Sequence, residues 1–415
     1  MIQCIKIYNL KVDENCMKKK IVFSIVILVF IILLGNSTYS QKNQLSEEEK
    51  VDDFNYVYNV IKTGYPYLDV NKRLNNIDWL ENKDEYTKRI KSTENDEEFI
   101  EELSSILSDL NNKHTELIDN NKRYELFKKS YSNNDWYDFL NDKKVVDRYN
   151  SMNPKIKMPN DIFVKKELIL KDIVKGKVGY MYLPSMSSKN GSIDNDLKVI
   201  GDYINTLEKH KALIIDIRGN SGGSDRYWQG IVSKLIKNDV KINGYRIYRN
   251  NNKIVKKYTN ARNIKLEPIN NLPQNVKENA PKEIIKDFSS FENTSYTIKS
   301  TKDLKFKGNI YLLVDKKIYS SSESFAMFCK ETKFATLVGE TTGGDGGCID
   351  PVLFNLKSSG LIVRMASCMY LNKNGICDEE FKTIPEFKVK DCKRTADFKD
   401  DSCIRKALEL ENINY

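Results

Sequence analysis

The stretch KALIIDIRGNSGGSDRYWQGIVSKLIKND, starting at Lys211, limits what this chain can become. A continuous apolar run from Ala212 to Ile217 reads as a strand buried on both faces, followed by a glycine-rich turn and an amphipathic helix from about Asp225 to Ile236. The unit recurs in GNIYLLVDKKIYSSSESFAMFCKET, with a strand over Asn309–Val314, a turn and a helix. A third strand, in FATLVGETTGGDGG, runs into another glycine-rich loop. Alternating strand, turn and helix indicate an α/β domain, whose functional loops leave the carboxyl ends of its strands.

The rest of the chain is organised around this unit. Residues 41–117 carry apolar residues at three- and four-residue spacing, as in VDDFNYVYNVIKTGYPYL, and predict a small N-terminal helical domain. Residues 118–175 have weak periodicity and read as an irregular linker with a helix or two. The α/β domain spans 176–390 with a polar, Asn-rich insertion at 241–301 that reads as a hairpin and a surface insertion, and a tail helix closes the chain over 391–415. Near the start, Met17–Lys20 is basic, Ile21–Leu34 is apolar, and small polar residues run to Ser40. That layout predicts a secretory signal within residues 1–40, with Met17 as an alternative start and a retained membrane anchor as the alternative fate. The expected location is extracellular or in the cell envelope.

Composition excludes several functions. The net charge of +9 comes from lysines scattered among acids, which describes a solvated surface rather than a nucleic-acid face. Six cysteines (Cys329, Cys348, Cys368, Cys377, Cys392 and Cys403) lie in the last third without a CxxC pair, and the chain has two histidines, His114 and His210. A zinc site is therefore not expected, while disulfides of undetermined pairing are compatible with export, as are unpaired buried thiols. No GxxxxGK[ST] or GxGxxG occurs, so neither a nucleotide nor any other cofactor is predicted.

Acyl transfer remains. Ser320 and Glu323 have capping-box spacing at a helix start, where a serine hydroxyl would also meet the positive end of a helix. His114, in DLNNKHTEL, is a candidate base, whereas His210 reads as a solvated surface residue. Backbone N–H groups at Gly222, Gly223 and Ser321 are candidate oxyanion donors, because glycine lets the backbone approach a ligand closely.

Taken in order, LIIDIRGNSGGS, YSSSESFA and ATLVGETTGGDGG resemble the tail-specific or C-terminal processing serine peptidases. Within them they resemble the branch related to tricorn protease and the interphotoreceptor retinoid-binding protein repeats, over roughly residues 48–390. The resemblance implies a ClpP/crotonase-like α/β catalytic domain, hydrolysis of peptide bonds in proteins or peptides, and Ser320 as nucleophile. Classical members carry a lysine where this chain has Asp345, which excludes their Ser-Lys dyad; the resemblance instead implies His114 as base and Glu379, in GICDEEFKTIPEF, as the accompanying acid. The family's PDZ domain is not visible. The alternative is a non-catalytic relative that binds peptides or apolar ligands, a reading that the extra charge of Asp345 favours. Oligomeric state cannot be read from the chain.

Overall fold

The computed structural model describes residues 44–132, 134–152, 167–188 and 192–414. The expected signal or anchor lies outside them, and among the described residues no helix is long and apolar enough to cross a membrane.

Thirteen strands are present among the described residues: β1 (Glu116–Ile118), β2 (Ile169–Val174), β3 (Val178–Tyr182), β4 (Ala212–Asp216), β5 (Val240–Tyr248), β6 (Glu267–Pro268), β7 (Ser290–Ile298), β8 (Asn309–Val314), β9 (Thr336–Gly339), β10 (Val352–Asn355), β11 (Ile362–Met365), β12 (Met369–Asn372) and β13 (Phe387–Lys388). The central sheet has the order β13-β9-β8-β4-β3-β2, parallel except for β2. All five residues of β4 are buried, which its unbroken apolar run anticipates. Leu213 and Ile215 face the helices Ile193–Thr206, Asp225–Leu235 and Ser321–Thr332, while Ala212 and Ile214 face the helix Ser402–Leu410. The register sets Tyr182, Asp216 and Leu313 side by side, so the loops after β4 and β8 leave from one edge.

The expectation of a ClpP/crotonase-like domain is corrected here. The central sheet is open, with β2 at one edge and the two-residue β13 at the other. The polar insertion does not wrap around it. Instead β5 and β7 pair antiparallel over nine residues and recruit β12 and β6 into a second open sheet, and β1-β11-β10 form a third. Long-range antiparallel pairing thus competes successfully with closure of the parallel sheet.

The helices Glu47–Gly64, Leu68–Asn75, Lys83–Lys91 and Asp96–Ser108 share one core with these smaller sheets: Phe54, Ile61, Phe99 and Leu103 belong to the same cluster as Ile247, Phe291, Val363 and Leu371. Ser46 and Glu49 form a capping box at the first helix. Residues 121–131 and 143–151 are helical, and Tyr124 and Tyr149 stack and pack beside Leu353 and Ile362.

One buried ion network ties the chain's end to the first glycine loop. Arg218 makes two hydrogen bonds to Asp216 and two to Asp401, and Asp401 accepts the N–H groups of Cys403 and Ile404 at the start of the Ser402–Leu410 helix. The Arg218 side chain is 2% exposed and both carboxylates 0%. Arg218→Met would leave two carboxylates facing each other away from water, and is expected to cost about 3–5 kcal/mol. Urea unfolding measures this, and a loss below about 1 kcal/mol would contradict the network's importance. A disulfide joins Cys392 and Cys403 beside it.

Candidate active site

Ser320 stands at the start of the Ser321–Thr332 helix with φ 59° and ψ −127°, a conformation a non-glycine residue adopts only under constraint. Part of that constraint is a hydrogen bond from its N–H to the Gly344 carbonyl (3.2 Å). The capping box read from the sequence does not form, because at positive φ the Ser320 side chain turns away from the helix N–H groups and caps none of them. Ser320 instead lines a cleft of about 760 Å³ together with His114, Tyr319, Ser321 and Gly223.

Glu323 turns to a different task. It accepts hydrogen bonds from Thr342 Oγ1 (2.6 Å) and Gly344 N–H (3.1 Å), while Ser324 Oγ accepts the N–H of Gly347 (3.0 Å). Asp378 accepts Gly346 N–H, and Arg246 donates to the Gly347 carbonyl. The helix that starts next to Ser320 therefore also fixes the glycine loop that carries Asp345.

Asp345 is the residue that meets the histidine. His114 Nδ1 lies 2.6 Å from Asp345 Oδ2, and the carboxylate also accepts from Asn112 Nδ2 (2.9 Å), Tyr67 OH (3.0 Å) and Tyr319 OH (3.1 Å). Burial opposes ionisation of Asp345, but His114 and these donors outweigh it and hold the carboxyl down to about 2. The Tyr319 ring lies 4.9 Å from the imidazole, centre to centre, and the His114 N–H donates to Asn112 Oδ1. His114 and Ser320 face the same cleft, and among the described residues neither His114 Nε2 nor Ser320 Oγ has a hydrogen-bond partner.

Glu379 is close by but not on the imidazole. It accepts from Lys382 Nζ (2.7 Å) and from Asn112 Nδ2 (3.2 Å). Burial, and then the charge of Asp345, push its carboxyl up to about 7 against the pull of Lys382. The native state therefore holds this proton more tightly than the unfolded chain does. The resulting stability is complete below the ordinary glutamate range and is lost as pH rises through about 7. Asp345 has the opposite sign, its contribution being lost as pH falls toward 2. Between about pH 5 and 8 the urea midpoint of the native protein is expected to fall relative to that of Glu379→Gln, and parallel curves would contradict the assignment.

The three candidate oxyanion donors are not equivalent. The Gly222 N–H donates to Asn220 Oδ1 (3.0 Å), and the same oxygen accepts Ser322 Oγ–H (2.6 Å), which ties the first glycine loop to the serine triplet. Among the described residues the N–H groups of Gly223 and Ser321 have no partner. Gly222 has φ +108°, and a Cβ there would stand 2.9 Å from Ser320 Cβ and from the Tyr319 carbonyl oxygen, so this position must be glycine for the loop to lie against the serine. His210 is bonded to Asp172, away from the cleft. Among the described residues no cluster of His, Cys, Asp and Glu could hold a metal ion.

The family model of peptidase family S41 matches residues 177–389, more than half of the chain. The chain belongs to peptidase family S41. It is a serine-type peptidase acting on peptide or protein substrates, and its relationship is to the tail-specific and C-terminal processing peptidases. Its catalytic fold is that of the S41 peptidases with open sheets, not the ClpP/crotonase fold expected from the motifs. A candidate peptidase from Parabacteroides merdae aligns with the S41 chain at TM-score 0.56 and 20% identity, covering 87% of this chain and 96% of that one. Mature CPAF aligns at TM-score 0.53 and 12% identity, covering 82% and 92%. At such identities the likeness is one of fold. No curated protein matches the S41 chain significantly.

The motif reading did not anticipate Asp345 beside the histidine: it marked this residue as a lysine lost from the family pattern and as a charge favouring a non-catalytic relative. Its signal was present: the lysine position had become acidic in a chain that retained a histidine in the H-T segment. Asn112, two residues before that histidine, and Tyr67 and Tyr319 carry no motif and become visible only in three dimensions.

Proposed function

We propose that this S41 peptidase is an exported endopeptidase that works through Ser320, His114 and Asp345. His114 Nε2 takes the proton of Ser320 Oγ as it attacks the scissile carbonyl, then returns it to the leaving amine. Asp345 accepts Nδ1–H, which fixes the tautomer that presents a basic Nε2 to the cleft and stabilises the imidazolium. The N–H groups of Ser321 and Gly223 receive the developing oxyanion, with the start of the Ser321–Thr332 helix adding its positive end. Glu379, the acid first drawn from the motifs, acts one step removed by holding Asn112.

The 2.6 Å contact between His114 Nδ1 and Asp345 carries this reading. Serine and histidine face one cleft without touching, a separation familiar in resting enzymes, where catalytic hydrogen bonds tighten on substrate binding. A fluorophosphonate probe tests it: covalent labelling mapped to Ser320 is expected. Folded protein that resists the probe, or takes it at Ser321 or Ser322, would refute the assignment, and complete resistance would favour a binding protein. Export rests on the pattern of residues 17–40; protein recovered only from the cytoplasm with these residues intact would count against it.

A further inference from the structure

Four cysteines remain outside the disulfide among the described residues, and one of them lines the cleft with a second behind it. Cys329 and Cys377 are buried and line no part of the cleft, which keeps them from a reagent entering it. Cys348 differs in access: the Cys368 sulfur and then burial push its thiol up as well, but it is partly exposed and lines the same cleft as Ser320 and His114. Its Sγ lies 3.2 Å from the carbonyl oxygen of Cys368 and 3.6 Å from Tyr67 OH. Cys368 sits immediately behind that wall, 1% exposed, with Ser367 Oγ–H directed at its sulfur (3.7 Å).

We propose that Cys348 and Cys368 form a thiol modification site in the cleft wall, converted to a disulfide by low-molecular-weight disulfides and thereby controlling the peptidase. Cys348 sulfur attacks the reagent RS–SR, forming Cys348–S–SR, and the departing RS⁻ takes the Cys348 proton to become RSH. The Cys368 thiolate then attacks the Cys348 sulfur, breaking its bond to the second RS group, which leaves as RS⁻ and takes up the proton that Cys368 released. Two cysteine sulfurs are oxidised and one reagent disulfide is reduced. Before the reaction the Cys348 thiol and the Arg246 charge outweigh burial and hold the Cys368 thiol below its ordinary value; once Cys348 has reacted, the Arg246 charge is what still favours the Cys368 thiolate.

The consequence for catalysis follows from position. Cys348 is three residues after Asp345, and the Tyr67 hydroxyl that touches its sulfur is the one that donates to Asp345 Oδ1. Turning the sulfur toward Cys368 withdraws it from Tyr67 and pulls on the loop that Arg246 holds at the Gly347 carbonyl. The activity part of the proposal rests on the peptidase reading above, whereas the chemistry of the thiols does not.

The test treats the full chain with 2,2′-dithiodipyridine, maps non-reduced peptides and measures kcat/KM on an unfolded protein substrate. A peptide linking Cys348 to Cys368 is expected, with a fall in kcat/KM of about tenfold or more that dithiothreitol reverses. Cys368→Ser, or Cys368→Ala if the first does not fold, should keep the basal kcat/KM and give only a mixed adduct at Cys348. Wild-type protein that stops at the mixed adduct, or leaves Cys348 free, would overturn the site. A cross-link that leaves kcat/KM unchanged would overturn its control of the enzyme. Absence of cleavage in the reduced protein would count against the peptidase reading alone, since the cross-link map decides the thiol chemistry without it.

Discussion

Ser320→Ala is expected to lower kcat on an unfolded protein substrate by about 10⁴–10⁶-fold, the range found when a serine nucleophile is removed from a triad. The variant should remain folded, because among the described residues the Ser320 side chain makes no hydrogen bond, and alanine removes a single oxygen. Substrate binding should persist, so KM should change much less than kcat. His114→Ala should reach a similar loss, and combining the two should add little, because residues of one catalytic unit are not additive. Single-site kinetics with equal unfolding midpoints make the measurement decisive. Retention of more than about one hundredth of wild-type kcat by Ser320→Ala would remove the nucleophile assignment.

Asp345→Asn and Glu379→Gln separate the two acids. Asparagine at 345 keeps the size of the side chain but presents an amide to a histidine nitrogen 2.6 Å away, so it disfavours the tautomer with a free Nε2 lone pair. A fall in kcat of about 10³–10⁴-fold is expected, comparable to the loss when the aspartate of a Ser-His-Asp triad becomes asparagine. Glu379→Gln still offers an oxygen to Asn112 and Lys382, and should cost on the order of tenfold or less. Reversal of that ranking would return the role to Glu379, as the family motif first implied. Asp345→Asn also removes the carboxylate whose charge helps raise Glu379, so the pH dependence of stability assigned to Glu379 should move to lower pH in that variant.

Local order was legible where one short segment decides it. Ala212–Asp216 is a strand because its apolar run can be buried on both faces, and the helix after Ser320 follows from an apolar pattern that buries Phe325, Ala326 and Phe328. The glycines of DIRGNSGG were read as a place of close approach, and Gly222 lies against Ser320. A hairpin was read within 241–301, but not that its strands β5 and β7 pair some fifty residues apart and recruit β12 and β6 into a separate open sheet, a choice with no local signature. The same holds for the acid. Asp345 and Glu379 are both buried carboxylates near an asparagine that touches each, and the loop pinned by Glu323, Ser324 and Asp378 sets which one reaches His114. The capping-box spacing of Ser320 and Glu323 misled for a related reason: with a backbone angle of opposite sign at Ser320, that residue lines the cleft and Glu323 bonds instead to Thr342 and Gly344.

Four consecutive residues at this turn have four different destinations. Ser321 lines the cleft, Ser322 reaches Asn220, Glu323 holds Thr342 and Gly344, and Ser324 holds Gly347. A helix advances by about 100° per residue, so insertion or deletion of one residue within SSSES would redirect all four groups at once. A change of length in the segment is thus expected to disturb all of these contacts together, where a single substitution disturbs one. Ser320, the first glycine loop and the Asp345 loop share a single origin of coordinates, and damage to that origin should appear as complete loss of the site rather than as a graded decline.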